Sequence, residues 1–182
     1  MTAPDLCLVV PPSLGTIVSH HEATSGMGAL TAGKHVFLYA PHTVALCAAA
    51  AQQSGQRVAV MDAVGARLNP HAASQWIVER SPGLVAVLVS HGTRLADGYF
   101  LRRLRDAGCE RPILLLGPSA AFVAEPLLAE GLAHAALIGE PEAALADAAS
   151  AVMVGRRGVL LARDVAPARY DDGNLVGDLD AL

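Results

Sequence analysis

His20, His21 and Glu22 stand side by side in a glycine-rich stretch, and Ser90-His91-Gly92-Thr93 follows directly on the apolar run Leu84-Val85-Ala86-Val87-Leu88-Val89. Imidazoles beside a carboxylate are the raw material of acid–base chemistry, and serine and threonine offer hydroxyl hydrogen bonds to a polar ligand. Adjacent histidines in a loop make a weak acid–base site, however. No serine lies in a nucleophile elbow, and the carboxylates form no conspicuous catalytic pair. His20, His21, His42 and His91, four of the seven histidines, gather at one predicted edge and would suit a metal. Their spacings match no standard ligand pattern, and polar loop lining is the simpler account. The sequence thus assigns neither a catalytic residue nor a protein metal ligand. It also lacks a glycine-rich dinucleotide fingerprint, a P-loop and a cysteine triplet for an iron–sulfur cluster. The leading ligand site is 90–93, with capping of the following helix by Ser90 and Thr93 as the alternative; both stay open.

The elements that must position these residues are legible in the hydrophobic pattern. A run without polar alternation, such as 84–89, fits a strand covered on both faces, so it belongs mid-sheet with Ser90 at its carboxyl end, where loops converge on a ligand. Leu6-Cys7-Leu8-Val9-Val10 is the first strand, closed by Pro11-Pro12. Residues 13–34 have neither helical nor strand periodicity and read as a long functional loop. His35-Val36-Phe37-Leu38-Tyr39-Ala40 is a brief extended piece before Pro41 opens a helix that Gly55 stops. Strand two, Arg57-Val58-Ala59-Val60-Met61, ends at Asp62, and Asn69-Pro70 starts a helix that Pro82-Gly83 ends.

Residues 94–107 form a helix with Ala96, Phe100, Leu104 and Ala107 on one face and Arg102, Arg103 and Arg105 on a solvated one. Strand four, Pro112-Ile113-Leu114-Leu115-Leu116, runs into Gly117-Pro118-Ser119, and Pro126 limits the helix that follows. Strand five covers 133–138, and Gly139-Glu140-Pro141-Glu142 turns into an alanine-rich helix whose acidic start the helix dipole favours without any function. After Gly155-Arg156-Arg157 one apolar run, Val159-Leu160-Leu161-Ala162, precedes a polar, linker-like tail. The expected architecture is α/β: a doubly wound, mostly parallel five-stranded sheet, Rossmann-like or flavodoxin-like, with helices on both faces. Residues 1–153 form the domain and 154–182 an extension.

Composition sets the bounds. At 182 residues one domain is expected, and 53% hydrophobic with only 4% aromatic means a core of Ala, Val and Leu. A net charge of -4 without a basic patch gives no reason to expect nucleic acid or an anionic membrane as partner. Cys7, Cys47 and Cys109 are far apart and read as reduced, buried thiols, which suits the cytoplasm. Met1-Thr2-Ala3-Pro4-Asp5 lacks the basic region of a signal peptide, and no apolar run approaches the roughly 20 residues that span a bilayer.

The ordered set of strand ends resembles a known family, the cobalamin-binding domain that precedes the barrel of cobalamin-dependent radical SAM enzymes. The likeness is carried by Pro11-Pro12 with its long loop, by Tyr39-Ala40-Pro41-His42-Thr43-Val44-Ala45-Leu46, and by Asp62. It continues through Pro82-Gly83 to Ser90 and through Leu116-Gly117-Pro118-Ser119, where the family has Gly-Gly-Pro-His. Ile138-Gly139-Glu140-Pro141-Glu142 is similar to the family's Gly-Glu-Gly-Glu turn, and Asp178-Leu179-Asp180-Ala181-Leu182 to its lead into the barrel. The resemblance implies cobalamin over the strand ends, its nucleotide tail buried between strands one and three, and the loop from Gly15 to Gly26 over the corrin ring. Ser90, Gly92, Gly117 and Gly139 would give the tail room, and Ser90 and Thr93 would bond its base or sugar. Pro12, Gly15, Thr16, His20, His21, Pro41, His42, His91, Pro118, Ser119 and Glu140 complete the implied cofactor-binding set.

The Asp-x-His-x-x-Gly signature that gives cobalt a histidine in other cobalamin proteins is absent, so the tail would be detached from cobalt with no histidine from that motif in its place. The iron–sulfur cluster and S-adenosylmethionine would belong to a barrel that this sequence lacks, supplied in cis or in trans, in a methyltransferase or related enzyme. Bulky residues at Ser90 and Gly117 are expected to abolish corrinoid retention and leave the fold intact. The rivals are a flavodoxin-like regulatory or interaction domain without corrinoid, and a small enzyme using His20, His21 and Glu22.

Overall fold

The computed structural model describes residues 2–32 and 37–166. Along the chain, β1 (Leu6–Val10) is followed by β2 (Ile17–His20), β3 (Ala29–Ala32), α1 (His42–Gln53), β4 (Val58–Asp62), α2 (Pro70–Arg80), β5 (Leu84–Leu88) and α3 (Arg94–Asp106). Then come β6 (Ile113–Leu116), a 3-10 turn (Ala120–Phe122), α4 (Ala124–Ala129), β7 (Ala135–Ile138), α5 (Pro141–Met153), β8 (Gly158–Leu161) and α6 (Ala162–Val165).

Six strands form one parallel sheet in the order β4-β1-β5-β6-β7-β8. Every residue of β1, β5 and β6 is buried, as runs without alternation require when helices cover both faces. The strand period of two then divides the core. Leu6, Leu8 and Val10 face α1 and α5 through Val44, Cys47, Leu145 and Val152. Cys7 and Val9 face the α2 and α3 layer through Ile77, Phe100, Leu101 and Leu104. Burying each such large side chain contributes roughly 1.5–3 kcal/mol, so the sheet and its two helical layers hold the fold together. Strand order reverses between β1 and β5, and that switch point opens a crevice at the carboxyl edge.

The sheet has six strands where the sequence indicated five. The sixth, β8, draws on the run Val159 to Ala162 and pairs with β7 from Ala135↔Gly158 to Ile138↔Leu161. It is an edge strand, and its exposed Val159 dilutes the apolar signal. The stretch expected to be an unstructured loop contains an antiparallel hairpin, with β2 and β3 in register from Ile17↔Ala32 to His20↔Ala29. Two four-residue strands that pair only with each other carry too little apolar alternation to read in advance. Phe37 to Ala40 form no strand, and His35 and Val36 lie outside the described residues, as does the tail from 167 onward.

Capping at α2 follows the expectation: the Asn69 side chain accepts from the Ala72 N–H at 2.9 Å and Pro70 opens the helix. The arginines of α3 are not one solvated face. Arg102 and Arg103 pair with Glu130 and Asp106 at the surface. Arg105 is half-buried and donates to the carbonyls of Cys109 at 2.7 Å and Arg111 at 3.0 Å and to His134 Nδ1 at 3.1 Å. Burial, and then the neighbouring Arg105 charge, hold the His134 ring below its ordinary pKa, and its Nδ1 also accepts from the Ile113 N–H. The three cysteines are free and buried. Among the described residues no helix is long and apolar enough to cross a membrane.

Candidate functional site

β5 delivers Ser90 to the switch point, and the first turn of α3 delivers Thr93 and Asp97; all three are fully buried. Asp97 Oδ2 accepts from the Thr93 hydroxyl at 2.7 Å and from the Ser90 N–H at 3.2 Å. Since the Thr93 proton goes to Asp97, the 2.6 Å contact between the two hydroxyls runs from Ser90 to Thr93. Thr93 makes no side-chain cap bond to α3, so these hydroxyls serve the aspartate rather than the helix end. The capping alternative therefore does not describe them.

Asp97 Oδ1 lies 2.8 Å from His21 Nε2, which arrives from the turn after β2. A carboxylate only accepts, so in the neutral ring the proton sits on Nε2 and the Nδ1 lone pair is left free. That atom is buried without a partner, as are Ser19 Oγ and Glu22 Oε2. Ser19, His21 and Glu22 line one cavity of about 20 Å³ over the ends of β1, β4 and β5, with Val10, Asp62 and Leu88 as its floor. The other Glu22 oxygen accepts from the Thr43 N–H at 2.7 Å and caps α1, whose own cap residue, Pro41, has no side-chain donor or acceptor. His20 bonds Thr31 through Nε2 at 2.7 Å and stands edge-on to Tyr39, and burial pushes its pKa down, with His21 adding to the shift. Nitrogen NMR should find a His21 proton on Nε2; a ring protonated on Nδ1 alone would mean that Asp97 does not hold it.

Much of the implied binding set does converge here, but it meets the protein itself. A Cβ on Gly28 would overlap Ser90 Oγ, one on Gly92 would overlap the Gly28 carbonyl, and one on Gly26 would overlap Pro118. The Gly92 N–H donates to the Met27 carbonyl at 2.7 Å, and the His91 N–H to the buried Ser119 hydroxyl at 3.0 Å. At Gly117, φ is +132° and a Cβ would lie 2.7 Å from the Val89 carbonyl oxygen. The clearance expected for a nucleotide tail is thus taken up at Ser90 and Gly92 by the β2–β3 turn, and at Gly117 by the backbone that follows β5.

Other members of the set are scattered. Pro12 is buried beyond β1, whereas His42 and His91 are exposed. Gly15 and Thr16 border a separate open cleft of about 430 Å³, shared with Ser13, Arg67, Leu68 and Asn69. Gly139 and Glu140 follow β7, two strands from β5. Nearby, Glu142 is held above the usual carboxylate range by burial, with the charges of Glu140 and Glu22 adding to it. No group of histidine, cysteine and acidic side chains among the described residues is placed to hold a metal ion. Asp97, Ser19 and Gly28 were not singled out from the sequence. The available signal was Thr93-x-x-x-Asp97, a helical spacing that sets a carboxylate in line with buried Leu101 and Leu104.

Strand order, switch point and layered helices define a doubly wound module of the flavodoxin-like class. Among solved structures it is similar to the radical S-adenosylmethionine methyltransferase TsrM from Kitasatospora setae. The form with tryptophan substrate and a SAM analogue matches at 20% identity and TM-score 0.60, over 84% of this chain and 26% of that one. The form with cobalamin and a [4Fe-4S] cluster matches at 18% identity and TM-score 0.59, over 86% and 25%. At these identities the likeness lies in the fold, and this chain spans about a quarter of the methyltransferase. No family model and no curated protein matches the sequence.

Proposed function

We propose that this chain is a corrinoid-binding module whose ligand edge is the carboxyl rim of the sheet, acting beside a radical SAM domain carried in cis or in trans. The observation that carries this reading is the fold shared, over 86% of this chain, with a methyltransferase structure that holds cobalamin. The strand-end sequences from Pro11-Pro12 to Gly139-Glu140 point the same way. The crevice as it stands does not fit a nucleotide tail: its cavity of about 20 Å³ is the size of a single water. Gly92 and Ser90 therefore meet the hairpin turn directly and Thr93 holds the Asp97 that binds it, so all three become available to a ligand only when that turn leaves. Cobalamin, where bound, supplies its own cobalt chemistry; the chain supplies the rim.

Mixing the 182-residue chain with hydroxocobalamin, desalting it and recording the visible spectrum tests the reading. About one corrinoid retained per chain is expected. A colourless protein overturns it in favour of a flavodoxin-like interaction domain without corrinoid, the reading favoured by a crevice already filled by the chain's own turn.

A further inference from the structure

The β2–β3 hairpin is attached to the domain in an unusual way. None of residues 13–32 belongs to either apolar cluster, and Ile17, Met27 and Leu30 face solvent. What ties the turn down is polar: His21 to Asp97, the Gly92 N–H to Met27, and Glu22 to the Thr43 N–H. The docked turn also carries its own penalties. Thr24 and Ser25 sit at φ 54° and 53°, a region costly for side-chain residues. Ser19 Oγ, His21 Nδ1 and Glu22 Oε2, buried without a protein partner, border only the cavity of about 20 Å³, so polar groups rather than apolar packing line the seam beneath the turn. An element with few apolar contacts and a strained turn opens at a lower free energy than the core it covers.

We propose that the hairpin is an intramolecular occupant of the switch-point crevice, latched by His21 and Asp97, that undocks as a unit to admit a ligand. The identity of that ligand as a corrinoid rests on the reading above; the undocking does not.

Amide hydrogen exchange on the full chain tests it without any ligand. Hairpin amides in β2 and β3 are expected to exchange at least about a hundredfold faster than those of β5. Gly28→Ala, which drives a methyl group into Ser90, should speed the hairpin amides by a further tenfold or so and leave β5 unchanged. His21→Ala, which adds no bulk, should accelerate the same amides about 10- to 100-fold, the size of one hydrogen bond to a charged group. Hairpin and β5 amides exchanging at one rate in the unaltered chain would overturn the proposal, as would both variants accelerating hairpin and β5 alike.

In a second arm, hydroxocobalamin uptake should level off with rising concentration at the hairpin opening rate and be faster in Gly28→Ala. Uptake that rises linearly and is equal in both chains overturns the competition. Lack of retention in every chain, with fast hairpin exchange, retires the corrinoid and leaves the undocking in place.

Discussion

Replacing Gly117 with valine is expected to lower the free energy of unfolding by about 4 kcal/mol, measured by urea denaturation. Two effects add. The backbone at Gly117 has φ +132°, a conformation that residues with a side chain rarely adopt. A Cβ there would also press on the Val89 carbonyl oxygen at 2.7 Å and on Leu88 at 3.0 Å. Leu88 and Val89 continue the central strand, and the Val89 N–H is itself bonded to the Leu116 carbonyl, so the backbone has little room to give. A bulky residue at Gly117 therefore cannot block a ligand and spare the fold, contrary to what the sequence led one to expect. Ser90 differs, since added bulk there would press on the hairpin turn rather than on the sheet. A loss below about 1 kcal/mol would show that the loop after β6 yields more easily than this packing implies.

Cutting Phe100 back to alanine should cost about 3–5 kcal/mol with little change in the denaturant slope. Phe100 is fully buried in the layer between the sheet and α3, among Leu101, Leu104 and Ile113. The same helix carries Asp97 one turn earlier, so the variant should also loosen the His21 contact, and hairpin exchange should quicken with it. A cost under 1 kcal/mol would mean that the helix collapses onto the gap.

The sheet was legible because its inner strands are covered on both sides: β1, β5 and β6 announce themselves as runs with no polar residue. Asn69-Pro70 was legible because a cap is a local hydrogen bond. The hairpin was not, since its strands bury little and pair only with each other. β8 was weak because an edge strand needs only one apolar side. Asp97 was invisible for a different reason: its partner His21 is 76 positions away, and a buried carboxylate is justified only by what the fold brings to it. The glycines at 28, 92 and 117 record that something passes close by, but a glycine cannot say whether the neighbour is a cofactor or the chain's own backbone.

The placement of the sulfur atoms has one practical consequence. Cys7 lies in inner strand β1 beside α2 and α3 and Cys47 on α1 in the opposite layer, both fully buried, while Cys109, just before β6, borders an open cleft of about 420 Å³. Burial pushes the Cys7 thiol up to about 12, so at neutral pH it offers almost no nucleophilic thiolate. The hairpin contains no cysteine at all. Alkylation of Cys7 and Cys47 is thus blind to movements of the rim and requires the packed layers to part, and the order in which those two mass increments arrive tells which helical layer peels away first, whereas Cys109 reports on its own cleft.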